Sequence, residues 1–389
     1  MRVRLDIAVL TLLVFAGAVG RLAAQQFDFA VPSDDQWQYP YNPDPPNRSP
    51  GSCFGTVGYD LPPFNYKFNN RDGIVVVAWD TSGTIPTGQG PASYAISAIR
   101  VTLTSVPNAQ WPADHSVDEW YTYDISGDQL INADGIPRGQ PGDTDGESSD
   151  TDAGRPIELF GSGFGPVHAY STWSEFSFYV GSDQFFAAPR DPFPFVYRDG
   201  TEELLHVEDS VRGYYNSGLT PPFCGPPDSQ CPFTPAPWAI GAPVNYTPGS
   251  QPTPFDVTFD VDLGLSDGRV LQYFQEQLDA GRVIVSVTSL RETTQQAGQA
   301  GYPSFFMKEA TDPGALAPRL TIVLSACALG DGDINCDGSV NDTDAALFVG
   351  VLLGTETDSS YVTRSDLNNS NTRDGLDIAP FTQAYLMGP

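Results

Sequence analysis

Phe255-Asp256-Val257-Thr258-Phe259-Asp260-Val261-Asp262-Leu263 alternates apolar and polar residues without a break. In an extended chain Phe255, Val257, Phe259, Val261 and Leu263 therefore share one face, the signature of a half-buried strand. The same chemistry recurs on either side. Ile74-Val75-Val76-Val77-Ala78-Trp79 follows the turn signal Arg71-Asp72-Gly73, and residues 94–104 end in alternation. Residues 120–125, 175–180, 193–197, 282–290 and 319–324 supply further strand material. Before the tail, residues 268–280 are the helix candidate, with Val270, Leu271, Phe274 and Leu278 at helical spacing. With 38 Gly and 35 Pro in 389 residues, long helices are disfavoured and short strands joined by loops are favoured. The expected class is mostly β: an antiparallel β-sandwich or jelly-roll-like region over residues 54–326, as one large unit or two fused ones.

The chain carries 48 Asp+Glu against 19 Lys+Arg, a formal net charge of -29. No basic stripe exists to meet phosphate, which excludes nucleic acid as a partner. Two arginines in residues 1–4, an apolar run over residues 7–19 and Leu22-Ala23-Ala24 read as an export signal over residues 1–24. That run is short of a bilayer span, so the mature protein is expected not to span a membrane and to act outside the cytoplasm. Residues 25–53 read as a proline-rich arm whose Trp37, Tyr39 and Tyr41 either stack on a sugar or peptide or tuck the arm against the sandwich. Of the five cysteines, Cys224 with Cys231 and Cys327 with Cys336 are the expected disulfides. Cys53 is left over, open to solvent, oxidation or an intermolecular bond. Residues 132–154 hold six Asp or Glu, read as a solvated loop or a calcium-stabilised one.

The sharpest chemistry lies near the carboxy terminus. In Asp333-Ile334-Asn335-Cys336-Asp337-Gly338-Ser339-Val340-Asn341-Asp342-Thr343-Asp344, Gly338 falls at the sixth place of a twelve-residue calcium loop. Asp333, Asn335 and Asp337 then occupy positions 1, 3 and 5, the Ser339 carbonyl position 7, Asn341 position 9 and Asp344 position 12. Calcium takes six to eight hard oxygens, and this spacing folds them inward. A second copy begins at Asp366, with Asp366, Asn368, Ser370, Thr372, Asp374 and Asp377 at the same places. It carries Ser370 at position 5, Asn371 for the turn glycine and Arg373 at position 8, so it is expected to bind more weakly. A helix is expected after each loop, over residues 345–353 and 378–386, the second facing the first through Ile378, Phe381 and Leu386.

Both loops lack an entering helix and end in Asp instead of Glu. Residues 331–386 thereby resemble a dockerin type I module, within a tail set at residues 327–389. That resemblance implies Ca2+ as the bound ion and two loop-helix units related by a pseudo-twofold axis. It also implies a cohesin-like module or surface scaffold as partner, with Asp342, Thr343, Gly375 and Leu376 at the partner-reading places. The large region resembles secreted β-rich proteins of planctomycete bacteria that often end in such modules. The segments that carry this are Arg71-Asp72-Gly73, Gly154-Arg155-Pro156-Ile157-Glu158-Leu159-Phe160-Gly161, Pro237-Trp238-Ala239-Ile240-Gly241 and Lys308-Glu309. It implies extracellular placement and no activity.

The expected function is a secreted, non-catalytic cell-surface or matrix component attached through the calcium-dependent module. The alternatives are a carbohydrate-binding protein or a glycoside hydrolase acting on extracellular polysaccharide. Glu158, Glu175, Glu202, Glu203 and Asp260 are available for hydrolysis, but an acidic chain supplies such pairs by chance and no catalytic residue is singled out. A sugar site requires a cleft with tyrosine or tryptophan walls and paired acids; a plain adhesion component has flat acidic faces and aromatics buried in its sheets.

Overall fold

A computed structural model describes residues 25–39, 49–59, 66–107, 111–118, 155–177, 191–198, 200–207, 210, 233–247, 253–294, 301–325, 331–335, 339–368, 370 and 372–387. The strands are β1 (Gln25–Phe29), β2 (Asp34–Gln38), β3 (Gly51–Ser52), β4 (Phe54–Tyr59), β5 (Tyr66–Asp80), β6 (Ile96–Ser105), β7 (Ile157–Gly163), β8 (Phe193–Tyr197) and β9 (Leu204–His206). They continue as β10 (Ala239–Ile240), β11 (Ala242–Pro243), β12 (Phe255–Asp260), β13 (Arg282–Ser289), β14 (Glu292–Thr294), β15 (Ser304–Phe305) and β16 (Arg319–Leu324), with helix α1 (Arg269–Ala280) before β13.

The first sheet runs β1-β16-β6-β12-β11, with β15 and β3 alongside; the second runs β14-β4-β5-β13-β7-β8-β9, with β10 on β7 and β2 on β5. Among the described residues every pairing is antiparallel except β14 with β4. The alternating strand β12 pairs with β6 from Phe255 opposite Ser105 to Asp260 opposite Arg100. It buries Phe255, Val257 and Phe259 and leaves the intervening residues wetter. Leu103, Val257 and Ile322 of the first sheet meet Val77, Trp79 and Val285 of the second in one continuous core. This burial of apolar area is the main stabilising term.

β5 reads as an unbroken apolar run because both of its faces are covered. Val75, Val77 and Trp79 enter the main core. Ile74, Val76 and Ala78 pack with Ile284 and Trp173 in a second cluster, flanked by Phe164 and Tyr170. α1 buries Val270, Phe274 and Leu278 and stops at Gly281, whose left-handed backbone (φ 84°) lets its N–H reach the carbonyls of Gln277 and Leu278.

Several expectations are corrected. Residues 25–53, read as an arm, give β1 to the first sheet and β2 to the second. There Trp37 donates its indole N–H to the Ser52 carbonyl and stacks on Tyr39, which meets the Phe54 ring edge-on. Those aromatics fasten the segment to the sheets. Residues 175–177 form a turn closed by Ser177 N–H to Ser174 O, not a strand. Glu175 is drawn inward by polar partners, and Phe176 is left exposed. Cys53 is not open to solvent: it is fully buried, its thiol donates to the Val287 carbonyl, and burial pushes its pKa up. β7 had no strand reading because Gly161 and Gly163 interrupt its pattern. Gly161 is needed there, since a Cβ would lie 2.2 Å from Cη2 of Trp238. The expected strand at 120–125, residues 178–180 of another, the leader, Tyr41, the acidic stretch up to residue 154 and the other four cysteines lie outside the described residues.

Candidate metal centre and the surfaces around it

In the tail, α2 (Asp342–Leu353), α3 (Ser359–Arg364) and α4 (Ile378–Met387) surround a small core of Ile334, Phe348, Leu367 and Phe381. These form two pairs, Ile334 with Leu367 and Phe348 with Phe381, set at the same offset as Asp333 and Asp366. Phe348 and Phe381 stack face to face with centroids 4.4 Å apart. Helix α3 had no counterpart in the sequence reading. Ile378 and Leu386 do not face the other helix: they are 49 % and 76 % exposed, and Phe381 makes the contact.

Within each loop the position-12 carboxylate organises the backbone. Asp344 is fully buried; Oδ1 accepts the N–H groups of Ile334 (2.8 Å) and Asn335 (3.0 Å), and Oδ2 accepts that of Asn341 (3.0 Å). Asp377, also fully buried, repeats this with Asn368 N–H on Oδ1 (3.1 Å) and Asp374 N–H on Oδ2 (2.9 Å). The position-9 side chains also match. Asn341 accepts from Thr343 N–H and so caps α2, and Asp374 accepts from Leu376 N–H in the turn that leads into α4. In the second loop Asp366 and Asn368 both accept from the Ser370 N–H at 2.9 Å. The Ser370 hydroxyl lies 3.2 Å from the Thr372 carbonyl. In the first loop Asp333 is buried and Ser339 exposed, and Asp337 lies outside the described residues.

The donor set suits a hard divalent cation. Oxygens from positions 1, 3, 5, 7 and 9 are drawn together by these bonds in the second loop. Oδ2 of each position-12 carboxylate holds one amide and keeps acceptor capacity beyond it. Two buried carboxylates per loop, Asp333 with Asp344 and Asp366 with Asp377, make charge compensation valuable. Arg364, largely buried with its pKa lowered by desolvation, donates to the Ile334 carbonyl. Arg373, the residue out of pattern at position 8, turns outward to donate to the Val362 carbonyl of α3.

Residues 331–383 match the dockerin type I domain. Dockerin type I domains bind calcium and dock onto cohesin modules. In this dockerin module Asp342, Thr343, Gly375 and Leu376 all lie at the surface, and the Tyr385 hydroxyl of α4 reaches Asp342, tying one unit to the other. Comparisons with curated proteins and with solved structures find no match. Among the described residues no helix is long and apolar enough to cross a membrane.

The acids singled out for hydrolysis are dispersed. Glu158 is buried in a bidentate pair with fully buried Arg71 (2.9 and 3.1 Å), which also donates to Ser210 Oγ. Glu175 binds the Lys308 ammonium; with Asp35 and Glu309 it places carboxylate oxygens within 4.8 Å of one another. Lys308 supplies the counter-charge there, donating through Nζ to Ser33 O and through its backbone N–H to Asp35. Glu203 pairs with Arg198 and Asp260 with Arg100. Glu202 lines a cleft beside α1, together with Glu276, which the sequence reading did not single out.

Proposed function

We propose that this protein is a secreted component attached outside the cell through its calcium-loaded dockerin module. In this reading residues 1–24 are the export leader, the β region is the carried unit, and residues 327–389 are the attachment unit. The repeated cage around Asp344 and Asp377 carries the proposal: two loops, one opening at Asp333 and the other at Asp366, aim the same amides at the same carboxylate oxygens. Asp333, Asn335, Asp337, Ser339, Asn341 and Asp344 would hold one Ca2+, and Asp366, Asn368, Ser370, Thr372, Asp374 and Asp377 a second. Bound calcium would supply positive charge among buried carboxylates and so favour the folded loops over the unfolded ones. The surface of α2, α4 and the turn before α4, with Leu353, Leu376 and Leu386 exposed, would meet a cohesin-like partner.

Calorimetry of the full chain tests this. One transition is expected to rise with calcium and fall with chelator while a second, from the β region, stays in place. Capture by an immobilised type I cohesin is expected in calcium and not in chelator. A melting profile indifferent to chelator would overturn the calcium reading. Calcium-dependent melting without capture by any cohesin would overturn the partner.

A further inference from the structure

A cleft of about 470 Å³ opens between α1 and the β7-β8-β9 end of the second sheet, within the roughly 300–1,000 Å³ typical of small-molecule sites. Its floor is buried, with Tyr273 and Gln277 from α1 beside Phe195 of β8. Half-buried Phe164, Tyr170 and Tyr197 form its aromatic walls. Tyr197 lies parallel to the buried Trp238 ring, at 4°. Glu202, Gln272 and Glu276 are exposed at its mouth, and Arg269 is half-buried beside them.

One polar group on this floor stands out. Gln277 is only 7 % exposed, and its Oε1 is taken by the Ile284 N–H at 2.7 Å. Its amide NH2 has no hydrogen-bond partner among the described residues. That NH2 opens to the cleft, so a group bound there can accept a hydrogen bond that no protein group takes. The backbone feeding the cleft is strained as well. Ser266 and Asp267 hold left-handed conformations (φ 54° and 55°) immediately before α1, and so set where Arg269 enters.

The chemistry selects the kind of ligand. An apolar molecule would leave the Gln277 donor unmet. An anion would face Glu202 and Glu276 in a chain of net charge -29. A cation would meet Arg269 and the amide donors. A hydroxyl both donates and accepts, so a ring bearing several hydroxyls can use carboxylate acceptors and amide donors together while its C–H face lies on an aromatic wall. Burial, followed by Glu276, pushes the Tyr197 hydroxyl up to about 12, so it stays a neutral donor at physiological pH.

We propose that the cleft between α1 and β7-β8-β9 binds a neutral, polyhydroxylated sugar ring of an extracellular saccharide. The site is separate from the dockerin module and stands or falls without it.

Saturation-transfer NMR on the full chain tests this, with cellobiose, xylobiose, laminaribiose and mannobiose as probes and choline and digalacturonate as charged controls. At least one neutral disaccharide is expected to receive saturation, in calcium and in chelator alike. Ala280→Trp, at an exposed residue lining the mouth, and Glu276→Ala are each expected to weaken it at least about tenfold without changing the melting of the β region. Ser370→Ala in the tail is expected to leave it unchanged. The proposal is overturned if no neutral disaccharide binds, if binding survives Ala280→Trp undiminished, or if choline or digalacturonate outcompetes every neutral sugar.

Discussion

Replacing Asp344 by Ala removes the acceptor of three backbone amides, those of Ile334, Asn335 and Asn341, at 2.8–3.0 Å inside a fully buried site. A hydrogen bond to a charged group contributes about 1.5–3 kcal/mol. Three at the low end, with some water entering the space, come to about 4 kcal/mol. A core of four buried apolar side chains in a module this short supplies only about 3–5 kcal/mol net, so the substitution removes most or all of the module's stability. Calcium cannot restore it, because even at a hundredfold excess over its dissociation constant one site returns only about 2.7 kcal/mol, and this site would have lost a carboxylate. Asp344→Asn is expected to cost less. The remaining oxygen still accepts from Ile334 and Asn335, while the new NH2 faces the Asn341 N–H. Ser370→Ala, at an exposed loop position, is expected to cost under about 1 kcal/mol. Calorimetry of the three full-length variants, each in excess calcium and in chelator, reads the effect directly. The calcium-sensitive transition should vanish for Asp344→Ala, shift down for Asp344→Asn and stay for Ser370→Ala, with the β-region transition fixed throughout. An Asp344→Ala protein that keeps the wild-type calcium-sensitive transition would refute the cage as the module's organising element.

Three further outcomes follow from the β region. Asp35, buried beside Glu309, Lys308 and Glu175, has its pKa raised from 3.8 to about 7, chiefly by desolvation. The folded state therefore holds a proton that the unfolded chain releases, and this contribution is full below pH about 4 and lost as pH rises through 7. Urea midpoints of the calcium-insensitive transition should fall from pH 5 to pH 8, and Asp35→Asn should flatten that slope. Glu158→Ala leaves the fully buried Arg71 guanidinium without its carboxylate and should cost about 3–5 kcal/mol, whereas Arg71→Met with Glu158→Leu should be near neutral or stabilising; chemical denaturation of both variants distinguishes a costly orphaned charge from a merely removed contact. Cys53 should resist maleimide in the native protein and label only in denaturant, read by mass mapping of its peptide, since its sulfur is fully buried and its thiolate disfavoured.

The strands that could be read directly are those whose sequence pattern and environment agree. Residues 255–260 face core and water in turn, and so alternate. Residues 74–79 are covered on both faces, and so do not alternate. The missed strand β7 fails both tests for a tertiary reason: Gly161 is small because the Trp238 ring sits where a side chain would be, and Trp238 belongs to a distant part of the chain, beyond β8 and β9. Glu175 misled in the same way, its alternation with Phe176 and Ser177 suggesting a strand when the carboxylate is turned inward to Lys308. Local pattern reports local environment, and it goes silent where the partner is distant.

The same distinction separates the two sites. A calcium loop is contiguous: its ligands fall within one short stretch because a single backbone turn folds them inward, and the repeat that relates Asp333 to Asp366 extends even to the core pairs Ile334 with Leu367 and Phe348 with Phe381. The cleft is assembled from residues near 164–170, 195–204 and 269–280, which come together only after β7, β8 and β9 pair and α1 closes on them. Glu202 was visible as one acid among 48, and nothing in its neighbours marked it; Glu276 and Gln277 fall within the helix expected over residues 268–280 and carry no signal of their own. What sets Gln277 apart is that Ile284 N–H holds one end of its amide at the start of β13 while the other end faces the cleft unpaired. That juxtaposition needs the turn at Gly281 to bring β13 back beside α1. A site of this kind can be found only from the folded chain, so the β region can carry a sugar site although its sequence displays no motif for one.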